Sequence, residues 1–262
     1  MIRAAPLPGA TRYRAVVAYD GTRFQGFQRQ AGETLTVQAV LEAAIERVTG
    51  QRVTLKAAGR TDTGVHATGQ VIAFDVLWRH PPADLWRALN ANLPDDVAVH
   101  SLSEAPPDFH PRYDARSRVY EYTLYVAPAR HPLLDRYAWQ VPVSQPLNNQ
   151  MMQRAADLLL GTHDFAAFGQ PTQGESTVRQ VFCSQVQTLP APSPVTQLLR
   201  YRIEANGFLY HMVRRIVGAL VRVGSGALSL EELRRALESA EGDWPNQAAP
   251  ARGLCLIAVT YE

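Results

Sequence analysis

The order of strand-like and helix-like runs is the strongest constraint on what this chain can fold into, because the order occurs twice. In the first half, residues 12–19 alternate as a half-buried strand does. Residues 37–48 follow as a helix, with Val37, Val40, Leu41, Ala44, Ile45 and Val48 on one face and Gly50 as the stop. Two strand-like runs come next, residues 53–57 and 70–76. A helix over residues 83–92, opened by Pro81 and Pro82 and turning Leu85, Trp86 and Leu89 inward, leads to a strand at 97–102. A stiff Pro-rich connector, residues 106–117, separates this half from the next. There the pattern returns: a strand at 118–126, a helix at 148–160 and strands at 178–189 and 197–204. Helices at 208–223 and 230–238 follow, and a strand at 253–261 closes the chain.

Both halves read β-α-β-β-α-β, a split βαβ unit. The expected class is therefore α+β: two ferredoxin- or RRM-like βαββαβ halves joined into a mixed, mostly antiparallel sheet, with helices on one side and an open cleft. The expected organisation is a flexible extension over residues 1–11, an N-terminal half over 12–105, the connector 106–117 and a C-terminal half over 118–262. Ser229 followed by Glu232 forms a capping box for the helix at 230–238.

Between the two middle strands of the first half lies Ala58-Gly-Arg-Thr-Asp-Thr-Gly-Val-His-Ala-Thr-Gly-Gln-Val71. A turn that only reversed the chain would need a residue or two of Gly, Asn or Asp. This one runs from Gly59 to Thr68 and carries Arg, Thr, Asp and His, as catalytic loops on rigid strands do. Asp62 alone fits an Asx-turn, its carboxylate capping the amide two residues on. With Arg60 two residues away, on the same side if the lead-in is extended, it also fits a carboxylate held ionised to act as nucleophile or base. A buried structural ion pair would look the same.

Tyr120 and Tyr122 share one face of the strand at 118–126, and Tyr125 takes the other. Such aromatics fill cores, or stack on bases. In the helix at 208–223, Phe208, Met212, Ile216 and Leu220 trace an apolar stripe, thickened by Val213 and Val217. Arg214 and Arg215 fall off its centre. A half-buried Arg there needs an anionic partner, and Asp62 is the candidate. His211 reads as a packing residue.

Composition narrows the function classes. The 262 residues, 46% hydrophobic and 19% charged, suit a globular protein with a sizeable core. No run of eighteen apolar residues occurs, and the first fourteen lack a signal peptide's apolar centre, so a cytoplasmic location is expected. Cys183 and Cys255 sit in apolar strand-like runs without metal-binding spacing, and are expected as buried free thiols. The net charge is only +2, but every basic residue except Lys56 is arginine, the side chain best matched to phosphate and base planes. Clusters at Arg12, Arg14, Arg23 and Arg29, at Arg112, Arg116 and Arg118, and at Arg200, Arg202, Arg214 and Arg215 predict a basic face for nucleic acid. The acidic residues gather elsewhere, at Glu231, Glu232, Glu238 and Glu241.

Five ordered blocks then carry a resemblance over essentially the whole chain. They are Tyr19-Asp-Gly-Thr-Arg-Phe-Gln-Gly-Phe-Gln-Arg-Gln30, Thr36-Val-Gln38, Gly59-Arg-Thr-Asp-Thr-Gly-Val-His-Ala67, Phe208-Leu-Tyr-His-Met-Val-Arg-Arg-Ile-Val-Gly218 and Ala249-Pro-Ala-Arg-Gly-Leu254. In these blocks the chain resembles the bacterial tRNA pseudouridine synthase A (TruA) family. The resemblance implies isomerisation of uridine to pseudouridine at positions 38, 39 and 40 of the tRNA anticodon stem-loop, by a homodimer that uses no cofactor and no catalytic metal. It implies Asp62 as nucleophile, Arg60 as its neighbour in the active loop and Arg214 as the partner of the aspartate. Tyr120 would stack on the target uracil, Leu254 would line the base pocket, and Arg23, in the first block, would bind substrate. Phe27 stands where the family usually has Trp, which implies altered packing. Two other readings fit parts of the pattern. One is a non-catalytic RNA-binding module, although no RNP-type aromatic pattern is present. The other is a nucleoside hydrolase, which would need a second acid such as Asp20 or Asp75.

Overall fold

In the computed structural model the described residues are 9–32, 34–171, 174, 176–239 and 247–261. The chain divides into two units, Met1–Arg116 with Leu256–Glu262, and Ser117–Cys255. The secondary structure is α+β, with ten strands and six helices among the described residues, and the strand pairing is mixed but mostly antiparallel. Of the expected N-terminal extension, residues 1–8 lie outside the described set, and Thr11 already belongs to the first strand.

The first unit runs β1 (Thr11–Tyr19), α1 (Val37–Thr49), β2 (Lys56–Ala57), β3 (His66–Val76), α2 (Pro82–Ala91) and β4 (Val97–Glu104). β1 lies between β4 and β3, antiparallel to both, and β2 pairs along β3. This is the split βαβ arrangement that the order predicts. The alternation of β1 sends Tyr13, Ala15, Val17 and Tyr19 into the core. α1 starts where Thr36 accepts a hydrogen bond from Ala39 N, and it ends at Gly50.

Three local differences have physical causes. β2 is only two residues long, because Leu55 N–H donates to the Glu42 carboxylate of α1 instead of to the ladder. β3 begins four residues earlier than its apolar run, since Ala67 still pairs with Tyr19. The Asp62 loop is shorter for that reason. Trp86 of α2 does not face inward: it is 38% exposed, and its indole N–H reaches Val99 O at 2.6 Å.

The second unit runs β5 (Ser117–Val126), α3 (Pro132–Asp135), β6 (Trp139–Gln140), α4 (Asn149–Asp157), β7 (Gly161–Asp164), β8 (Val178–Leu189), β9 (Gln197–Ala205), α5 (Met212–Gly224) and α6 (Leu230–Ser239). β10 (Leu254–Thr260) starts in this unit and finishes in the first. The antiparallel order β5-β9-β8-β7 matches β1-β3-β2 of the first unit in its first three members, and β6 adds a parallel pair on β5. The short elements α3, β6 and β7 have no clear sequence signal. α4 stops at Asp157, three residues early, because Leu159 and Leu160 donate to the carbonyls three residues back and tighten the last turn. α5 begins at Met212, four residues late. Tyr210 is bridged to Gln170, and His211 sits in the left-handed region (φ 62°), so Phe208 and Leu209 lie outside the helical stripe. The capping box of α6 forms as its spacing predicts: Ser229 Oγ accepts from Glu232 N at 3.2 Å, and Glu232 Oε2 accepts from Ser229 N at 2.8 Å. Cys183 and Cys255 are free thiols but only half-buried.

Candidate active site

In the first unit, residues 58–65 hang between β2 and β3. Ala58 N donates to Val71 O at 2.8 Å, and Gln70 Nε2 donates to Gly59 O at 3.0 Å. The turn itself is closed by main chain, Val65 N–H on Asp62 O at 3.1 Å. The amide that an Asx-turn would use, Gly64 N–H, points to Phe24 O at 3.4 Å. Main-chain bonds thus hold the turn on both sides of Asp62, and Asp62 is partly exposed.

The first sequence block is what clamps this loop. Phe27 N donates to Thr61 O (3.0 Å), and the Tyr19 hydroxyl meets Thr61 Oγ1 (2.8 Å) in the core. Gly21 N–H donates to His66 Nδ1 at 3.0 Å. Gly21 also passes so close to the loop that a Cβ there would lie 2.0 Å from Val65 O. Asp20 accepts from Thr22 N at 3.0 Å and lies 3.2 Å from His66 Nδ1. The second block supports the first. Val37 N donates to Gly26 O and Gln38 N to Phe27 O, while Gln38 and Glu42 bind each other and Arg29. His66 and Gly21 brace the loop, and the residue pattern did not single them out. A glycine's close approach has no side chain to advertise it, and a buried His looks like core. Phe27 is fully buried, with its ring 6.0 Å from that of Tyr19.

Arg60 is exposed and makes no ion pair with Asp62 among the described residues. The idea that this neighbour holds the carboxylate by direct contact therefore gains nothing from the geometry. Arg23 is exposed too, and its Nε donates to Asp96 Oδ2 at 2.6 Å, which fixes the direction of its guanidinium. Neither Asp20 nor Asp75 is spare. Asp20 caps its turn, and both oxygens of Asp75 lie 2.7 Å from the Arg12 guanidinium.

In the second unit, β5 carries Tyr120 and Tyr122 on one face. Tyr120 is 9% exposed and meets Phe208 edge-on, with centroids 5.1 Å apart. Tyr122 is fully buried, and its hydroxyl donates to Pro250 O at 2.7 Å. Burial pushes the Tyr122 phenol well up, against the opposing pull of the Arg214 and Arg252 charges, so it remains a donor. Tyr125, on the other face, packs with Ala138 and Leu198 and gives its hydroxyl to Asp135 at 2.9 Å.

Arg214 stands in the first turn of α5, half-buried, with Nε on Ala249 O at 2.7 Å; Ala249 N returns a bond to Arg214 O at 3.0 Å. Leu254 is buried at the start of β10. His211, the αL residue before α5, stacks on Tyr210 at 3.8 Å. Among the described residues, no group of three or more His, Cys, Asp or Glu is placed to hold a metal ion. No described helix is long and apolar enough to cross a membrane.

Comparison with known proteins adds independent findings. A family model described as tRNA pseudouridine synthase matches residues 15–114 and 155–262. The chain is 40% identical to the tRNA pseudouridine synthase A of Streptococcus equi subsp. equi, over 96% of this chain and 99% of that protein. It is 41% identical to the one from Pseudothermotoga lettingae, over 95% and 99%. With the one from Neisseria gonorrhoeae the identity is 43%, over 84% and 80%.

Proposed function

The chain belongs to the tRNA pseudouridine synthase family, and from that premise we propose that it converts uridine to pseudouridine at positions 38, 39 and 40 of the tRNA anticodon stem-loop, with Asp62 as nucleophile. The observation that carries the assignment is the loop's construction. Main-chain bonds close the turn at Asp62, two sequence blocks clamp it, and Asp62 stands partly exposed on the loop so held. The other acids a rival hydrolase would recruit, Asp20 and Asp75, are spent on a cap and an ion pair.

The reaction breaks the bond from ribose C1′ to uracil N1, turns the base and rejoins it through C5. Atoms are conserved and nothing is oxidised, so no cofactor or metal is required. The nucleoside must first leave its stack. Whether the carboxylate attacks C1′, attacks C6 or removes a ribose proton, it must be ionised when the base arrives. In this reading Arg214 supplies the cation that keeps it so. Tyr120 holds the detached uracil by stacking, Leu254 excludes water beside it, and Arg60 and Arg23 neutralise RNA phosphates. The protein acts as a homodimer in the cytoplasm.

The test is release of tritium from [5-³H]uridine in an anticodon stem-loop, because only rejoining through C5 expels that hydrogen. Wild-type protein is expected to release it stoichiometrically with pseudouridine. Asp62→Asn, nearly isosteric, should bind the RNA and release less than a thousandth as fast. Free uracil as product would establish a hydrolase instead. Binding without any product from wild-type protein would establish an RNA-binding module.

A further inference from the structure

The loop at residues 249–253 is tied down at four points, all within the second unit. Ala249 O accepts from Arg214 Nε, and Ala249 N donates to Arg214 O. Pro250 O accepts from the Tyr122 hydroxyl at 2.7 Å. Arg252 Nε donates to Ala138 O at 3.2 Å, and its Nη2 lies 3.7 Å from Asp135. Gly253 lies flat on the Tyr122 ring: a Cβ there would come within 2.6 Å of two ring carbons and 2.7 Å of Thr123 O. The tyrosine therefore holds this loop both through its hydroxyl and through its ring face. The loop in turn accepts the Arg214 Nε–H at Ala249 O, which helps set the direction of the guanidinium fork.

A fully buried tyrosine needs its hydroxyl satisfied, but a water or a helix carbonyl would serve equally well. Here the hydroxyl goes to the residue next to the one that grips Arg214. We infer that Tyr122 is a positioning residue for Arg214, acting through the 249–253 loop, and that it sets the rate of the chemical step without touching the RNA. The inference rests on the reading of Arg214 proposed above. With the brace removed, Ala249 O drifts, the guanidinium loses its fixed direction and the carboxylate is less well supported during reaction. A small misplacement of this kind lowers turnover more than binding.

The decisive experiment is a double-mutant cycle on full-length protein, read as kcat and KM for anticodon stem-loop RNA. Tyr122→Phe keeps the ring and removes the bond. It is expected to lower kcat about tenfold with KM within twofold, in line with one lost buried hydrogen bond plus misalignment. In an Arg214→Lys background, which cannot make the Nε contact, the same change should cost less than twofold. Gly253→Ala displaces the loop from the opposite side, and should show the same kcat loss and the same suppression. An equal loss in both backgrounds, or unchanged kcat in Tyr122→Phe, overturns the inference. A purely structural tyrosine would lower the melting temperature and leave kcat of the folded protein intact. Asp62→Asn run alongside keeps the two ideas apart. Activity there would sink the proposed nucleophile, whatever Tyr122 does.

Discussion

Asp75 and Asp62 are both acids of β3 or the loop before it, and their surroundings give them opposite work. Asp75 sits directly across the ladder from Arg12, and the Arg12 side chain is only 3% exposed. Both Asp75 oxygens are engaged by that guanidinium, which marks a built-in ion pair of the core edge. Removing one partner of such a pair leaves a buried charge unanswered, so Asp75→Asn is expected to cost about 3 kcal/mol. Urea unfolding checks it: the midpoint should fall while the folded variant keeps its tritium-release rate. A folded variant with no activity would instead return Asp75 to the list of catalytic acids. At this scale the sequence made Asp62 conspicuous, because a polar, Gly-flanked loop between strands is a local signal. It could not rank Asp75, because the answer lies in a residue 63 positions away. The same blindness applies to Arg12 and Arg14. They look like part of a basic face, yet Arg12 is buried against Asp75, and Arg14 lies over the rings of Phe109 and Tyr261.

Among the elements, helix starts show where local chemistry is enough and where it fails. Ser229 and Glu232 announce α6 by spacing alone, because a capping box is made entirely within four residues. Periodicity assigns Phe208 to the stripe of α5, but Tyr210 is taken by Gln170, forty residues earlier, and the helix waits until Met212. Long-range pairing overrides a helical pattern without leaving a trace in it. The capping box also makes a pH prediction with a definite sign. Hydrogen bonds from the Ser229 hydroxyl and amide lower the Glu232 carboxyl below its ordinary 4.5. A lowered folded value means the cap contributes fully above the unfolded value and is lost as pH falls through the folded one. The amide resonances of Ser229 and Glu232 should therefore shift together as pH drops below about 4.5, while those of α1, capped by the neutral Thr36, stay in place. Glu232→Gln should abolish the titration at Ser229. Its persistence in that variant would assign it to another carboxylate.

For the whole molecule, the repeated order is legible from end to end, but the partition is not. A reading in chain order gives the last strand to the second half, whereas Leu256–Glu262 cluster with the first unit. Returning chain ends are decided by which neighbours remain unpaired, and that is a property of the folded sheet. Charge shows the same gap between inventory and use. Beyond Arg12 and Arg14, Arg200 and Arg202 both face Glu121, Arg29 faces Glu42 and Arg52 faces Glu46. With a net charge of only +2, far fewer guanidinium groups are left to meet phosphate than the count of arginines suggests. Counterion release then sets the salt response. Each neutralised phosphate contributes a slope of about 0.7–0.9 in log affinity against log salt, so three or four contacts predict a loss of about 20- to 150-fold between 50 and 200 mM. The slope should fall by about one in Arg60→Gln, whose side chain is exposed and pairs with no carboxylate among the described residues, and it should be unchanged in Arg14→Gln, whose guanidinium is held over aromatic rings. Binding titrations of anticodon stem-loop RNA at four salt concentrations measure all three slopes. If Arg14→Gln and Arg60→Gln lowered the slope equally, arginines held inside the fold would be meeting RNA as well, and counting internal partners would be the wrong way to find the binding face.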